Sequence, residues 1–132
     1  MGSVVWYVAL GSALGGASRY ALATAIQLRT ATAFPWGTLT VNVTGSLLLG
    51  FILRYALQTP AVSPEMRALL TVGFCGGYTT FSTFSYETVA LLEDDDYRRA
   101  FAYVLLSVAL SVAATFVGFV AAGALVGARR GV

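Results

Sequence analysis

The chain has 132 residues, 58% hydrophobic and 11% charged, with a net charge of +2 and a mean hydropathy of +0.77. A soluble domain carries roughly 25% charged residues, so this composition belongs in a bilayer. The absence of histidine and a single cysteine, Cys75, exclude a His/Cys metal site within one chain and an intrachain disulfide, and the small, scattered charge leaves no footprint for nucleic acid.

A span needs about 20 residues to cross roughly 30 Å of hydrocarbon. The amino-terminal apolar run has no basic n-region and continues as a span, so it reads as retained rather than cleaved. Residues 1–18 are uncharged, Arg19 interrupts, and 20–28 continue apolar. The runs 30–53 and 100–128 are uncharged and long enough to cross alone, and 68–86 are uncharged up to Glu87. These runs predict an all-α membrane protein, with four transmembrane helices at about 3–27, 34–56, 64–91 and 98–127. They would form one domain over 1–132 with no soluble part. Pro35 and Pro64 fall where a first helical turn would begin, with Ser63 as a cap before Pro64. Trp6 and Trp36 fall near span ends, as interfacial anchors do.

In the first helix, Arg19 lies deep enough either to snorkel to the far interface or to line an electropositive vestibule that concentrates anions. In the second, Thr38 and Asn42 are four residues apart and share a face. The Asn42 amide needs partners in hydrocarbon, so it either ties helices together or faces a conduction path. The third carries Gly73-Phe74-Cys75-Gly76-Gly77-Tyr78-Thr79-Thr80-Phe81-Ser82-Thr83-Phe84-Ser85. Three glycines in five residues each cost about 1 kcal/mol relative to alanine in a helix, which predicts a break in mid-membrane and unusual backbone angles at Gly76. Broken helices at that depth are tolerated where they are buried in protein or line a water-filled cavity, a usual place to bind or pass an ion. Phe81 and Phe84 share one helical face among the hydroxyls of Thr80, Ser82, Thr83 and Ser85, with Glu87 following. In the fourth helix Tyr103, Ser107, Ser111 and Thr115 recur every fourth residue as a polar stripe. Ring edges, an amide and hydroxyl hydrogens are weak donors suited to a small anion, with no cationic trap strong enough to hold it.

With four spans both termini lie on one side, which carries four arginines (Arg54, Arg67, Arg129, Arg130) against three (Arg29, Arg98, Arg99) on the other. So small a bias fits either a single orientation or insertion both ways as an antiparallel pair. The pairs Gly11/Gly15, Gly73/Gly77 and Gly123/Gly127 permit close helix contact, within a chain or between copies. Four short helices enclose little pathway alone, which favours a homodimer.

At Gly76-Gly77-Tyr78-Thr79-Thr80-Phe81-Ser82-Thr83-Phe84-Ser85 the sequence resembles the fluoride ion channels of the Fluc (CrcB) family. Gly15-Gly16-Ala17-Ser18-Arg19-Tyr20 and the segment from Pro35 to Gly45 agree, in the same order and over essentially the full length. The resemblance implies an antiparallel dual-topology homodimer in a bacterial plasma membrane, with two passive fluoride pores that let fluoride leave the cytoplasm. It places Asn42, Phe81 and Phe84 in the pore, with a polar track at Ser82, Thr83, Ser85, Glu87, Tyr103, Ser107 and Ser111. It also implies one structural sodium ion, held by the backbone carbonyls of Gly76 and Thr79 from both subunits. No nucleotide motif or catalytic constellation is present, so an enzyme is not expected. The competing readings are a dual-topology multidrug/proton exporter and a non-transporting assembly subunit. The exporter needs a carboxylate deep in its chamber, typically on the first helix, where this chain has Arg19. The assembly subunit leaves the polar stripe beside a broken helix without a role.

Overall fold

In the computed structural model, residues 2–131 are described, without the side chain of Arg130; Met1 and Val132, counted in the expected domain, lie outside the described residues. Every regular element among them is helical. Two helices, α1 (Gly2–Thr30) and α2 (Trp36–Gln58), are followed by a composite third span. That span comprises α3 (Pro64–Ala68), a π-helical stretch (Leu69–Cys75), α4 (Gly76–Tyr78) and α5 (Phe81–Glu93). The last helix is α6 (Tyr97–Arg130). The described residues thus form four helical segments, the third interrupted. Two helices, Trp36–Gln58 and Tyr97–Arg129, are long and apolar enough by composition to cross a membrane, with mean hydropathies of 1.5 and 2.4.

Local chemistry sets the ends. Ser63 caps α3, its Oγ accepting from Met66 N at 3.2 Å, with Pro64 as the first helical residue. Gln27 fixes the α1–α2 connection: its amide donates to Thr32 O and Phe34 O, and its Oε1 accepts from Gly37 N. Asp96 caps α6 by accepting from Arg99 N at 3.2 Å and pairs with the Arg99 guanidinium at 2.7 Å. The acidic 93–96 turn, which has no role legible in the sequence, therefore supplies the start of the last helix, where negative charge is favoured by the exposed amides.

The glycines do not break the third span. Gly76 has ordinary right-handed helical angles, φ −63° and ψ −38°, and Gly73 and Gly77 also lie within helical turns. The interruption comes after them, at Thr79 (φ −94°, ψ 158°) and Thr80 (φ −151°, ψ 119°), both extended. The glycines permit close packing instead. A Cβ on Gly11 would strike Leu69 O and one on Gly15 would strike Phe74 O; one on Gly73 would meet Val8 O at 2.8 Å and one on Gly77 Ser12 O at 2.6 Å. The Gly11/Gly15 and Gly73/Gly77 pairs thus belong to one crossing, α1 against the π-helical stretch and α4, within the same chain. A second crossing joins α2 to α6, where a Cβ on Gly50 would strike Thr115 O and one on Gly118 Leu47 O. Gly123 and Gly127 meet nothing within 4 Å.

Candidate functional site

The break is where the four spans converge. At its amino-terminal end, Cys75 O accepts from both Thr79 N (3.0 Å) and Thr79 Oγ1 (2.9 Å). Gly77 O accepts from Arg19 Nε at 3.0 Å. Arg19 thus turns toward the break. It reaches the last turn of α4, where a cation is favoured by unpaired carbonyls. At the other end Thr80 caps α5, its Oγ1 accepting from Thr83 N at 3.2 Å and donating to Thr83 Oγ1 at 3.0 Å.

Asn42, on α2, spans the gap between these ends. Its Oδ1 accepts from Thr80 N at 2.7 Å and its Nδ2 donates to Thr80 O at 3.0 Å. The side-chain amide thus pairs with both backbone groups of one extended residue, as a neighbouring strand would. One Nδ2 hydrogen is left over.

Two cavities flank this clamp, and Thr80 lines both. One, of about 350 Å³, is bounded by Asn42, Thr79, Thr80, Phe81, Phe84, Ser107, Ser111 and apolar residues of α2 and α6. The Phe81 and Phe84 rings are tilted at 49° with centroids 5.4 Å apart. Ser107 is buried, 7% exposed, and among the described residues its Oγ is the one buried side-chain polar atom without a hydrogen-bond partner. The other cavity, of about 320 Å³, is bounded by Arg19, Tyr20, Thr24, Gln27, Thr38, Thr83 and Glu87, among others.

Glu87 is held from two sides: Thr38 Oγ1 donates to Oε1 at 2.8 Å and Tyr103 OH donates to Oε2 at 2.6 Å. Tyr103 is fully buried, and its ring packs against Phe84 at 5.2 Å and edge-on to Phe34 at 5.6 Å. Arg19 and Glu87 face the same cavity without pairing; the one ion pair among the described residues is Arg99–Asp96.

The residues singled out in the sequence therefore divide. Asn42, Phe81, Phe84, Ser107 and Ser111 share the first cavity, while Arg19, Thr83 and Glu87 share the second. Ser82, Ser85 and Tyr103 line neither. Ser85 donates to Phe81 O within its own helix (2.9 Å), and the single hydroxyl hydrogen of Tyr103 is committed to Glu87. Sequence reasoning gave Thr80 no particular role. Its signal was a threonine directly before a helical run, the ordinary position of an N-cap. Thr38 was noted for its spacing from Asn42 but not as a partner of Glu87, which lies 49 positions away.

Residues 6–119 match the family described as CrcB-like protein, Camphor Resistance (CrcB). The chain belongs to the CrcB family. Its curated relatives include the fluoride-specific ion channel FluC of Geobacter sulfurreducens, 50% identical over 115 residues that cover 87% of this chain and 93% of the relative. The proteins of that name from Rhizobium meliloti and Thermus thermophilus are 46% and 47% identical, covering 90% and 91% of this chain and 95% of each relative. The family match includes Arg19, Asn42, the break, Glu87 and Ser111, and so reaches all four spans. The CrcB-family chain is thus a membrane protein of a non-enzymatic family.

Proposed function

We propose that this chain forms a passive, fluoride-selective ion channel that lets cytoplasmic fluoride leave a bacterial cell, giving fluoride resistance. The observation that carries the reading is the first cavity. Asn42, with one amide hydrogen to spare, Phe81, Phe84 and Ser107, whose buried hydroxyl lacks a partner, all line it. A small anion stripped of water needs donors at close range, and these donors are weak enough to release it. An inside-negative potential drives an anion outward at about 2.3 kcal/mol per charge per 100 mV. The names of the relatives, fluoride-specific ion channels, support the choice of anion.

The working unit is an antiparallel dual-topology homodimer, multi-pass in the plasma membrane, with the break at mid-membrane and two antiparallel pores. The large apolar side chains left exposed on one chain, such as Trp6, Val72, Phe81 and Phe116, suit burial against lipid or a second copy. Ser82, Ser85, Thr83, Glu87 and Tyr103 support the pathway from its flanks, and Arg19 supplies the positive group of the second cavity, a vestibule it shares with the Glu87 carboxylate.

A structural sodium ion fits the donor set of the break. Thr80 N–H, the amide that would close the helical bond onto Gly76 O, goes to Asn42 instead, and Thr79 lies outside both helices. Carbonyls without helical donors in a low-dielectric setting require another partner, and oxygen ligands suit a hard cation. Gly76 and Thr79 would hold the ion, doubled by the two-fold axis. Its positive charge would tie the subunits together beside the pores.

The test is anion flux from liposomes containing purified protein, without a proton gradient. Rapid fluoride efflux with negligible chloride efflux is expected. Chloride efflux comparable to fluoride, or flux only when protons are exchanged, would sink the reading in favour of a general pore or of the exporter.

A further inference from the structure

We infer that Asn42 is a positioning residue for the cation site, and not only a lining residue of the pore. This rests on the sodium reading of Gly76 and Thr79 given above. The inference follows from hydrogen-bond accounting across the break. In an uninterrupted helix Thr80 N–H would donate to Gly76 O, four residues back. Here that amide points to Asn42 Oδ1 at 2.7 Å, and the carbonyl of the same residue takes Nδ2 at 3.0 Å. The neighbouring carbonyls are occupied otherwise, Cys75 O by Thr79 and Gly77 O by Arg19. Asn42 therefore takes the helical donor of Gly76 O and leaves that carbonyl available to a cation. The surroundings agree, since Gly76 is exposed in the single chain and a Cβ there would meet nothing nearer than Thr71 O at 3.9 Å.

One amide thus has two duties. Its paired groups keep Thr80 extended and Gly76 O free, while Asn42, with one N–H to spare, also lines the first cavity. Removing the amide gives the Thr80 N–H no reason to stay turned away. It can return to Gly76 O and heal the helix at the expense of the cation site.

The experiment measures the sodium concentration that half-maximally raises the melting temperature of the detergent-solubilised protein, at constant ionic strength with N-methyl-D-glucamine chloride. Fluoride flux is measured alongside. Asn42→Ala is expected to need at least tenfold more sodium than the unsubstituted protein, whatever its baseline stability. Asn42→Asp keeps the acceptor for Thr80 N–H, so its sodium midpoint is expected to lie within about threefold of the unsubstituted protein, although flux is lost to its charge. Ser111→Ala, on the far side of the first cavity, should leave the midpoint unchanged. If Asn42→Ala does not fold, Asn42→Ser, whose hydroxyl is too short to pair with both Thr80 groups, is expected to show the same shift. Flux lost in Asn42→Ala or Asn42→Ser with an unchanged sodium midpoint would overturn the inference and leave Asn42 a pore residue only. No sodium-dependent stabilisation in the unsubstituted protein would instead remove the cation site, and this inference with it.

Discussion

At the scale of single residues, the polar groups of this chain mostly serve one another. Glu87 illustrates why their roles differ from their spacing. Thr38 and Tyr103 are buried, 6% and 0% exposed, and both donate to its carboxylate. Truncation to Glu87→Ala leaves two buried hydroxyls without an acceptor, at about 1–3 kcal/mol each. Glu87→Gln retains one acceptor oxygen and should cost less than half as much. Thermal unfolding of the purified variants would check this, and equal loss in both would show that charge rather than hydrogen bonding holds the site. Ser107 is the contrasting case. Its hydroxyl has no partner to lose, so Ser107→Ala should leave stability unchanged within about 0.5 kcal/mol while lowering fluoride flux. Undiminished flux in that variant would remove Ser107 from the pathway.

At the scale of elements, the crossing of α1 with the broken span is set by glycines that have no room for a side chain. Gly15 and Gly16 are adjacent and chemically identical, yet a Cβ on Gly15 would strike Phe74 O, whereas one on Gly16 meets nothing within 4 Å. Gly15→Ala should therefore sharply reduce the yield of folded protein. Gly16→Ala should match the unsubstituted protein or exceed it slightly through better helix propensity. Size-exclusion profiles after detergent extraction distinguish the two, and identical behaviour would mean that the crossing is looser than the backbone contacts require. Both glycine pairs were legible as close-contact motifs, but not the fact that they meet each other. That depends on the π-helical turn over Leu69–Cys75, which adds a residue to the ladder and which no side-chain pattern announces.

At the scale of the whole molecule, the proposed pathway and the proposed cation site would make separable demands. In the proposed dimer a sodium ion on the two-fold axis would lie off both pores, so activity should depend on sodium being available without being driven by its gradient. Fluoride moving uphill in liposomes on an imposed sodium gradient would replace the channel with a symporter. The arginine balance of four against three gives insertion machinery little to act on. The acidic turn between α5 and α6 leaves that balance unaltered, because acidic residues contribute little to it.

The sequence by itself determined the membrane setting, the four helical segments and the family. These depend on local quantities: apolar run length, caps, and a motif contiguous from Gly76 to Ser85. It also showed that the third span would be interrupted, though it pointed to the glycines rather than to Thr79 and Thr80. Gly73 and Gly77 are helical because the packing against α1 outweighs their poor propensity, a cost of about 1 kcal/mol each. Only the tertiary structure decided where the polar side chains went. Asn42 meets Thr80 across 38 positions, Thr38 meets Glu87 across 49, and Arg19 meets Gly77 across 58. In an apolar setting each of these groups must find a partner, but which partner depends on how the helices cross. Helical periodicity assigns a residue to a face and leaves open which residue of another helix that face will meet.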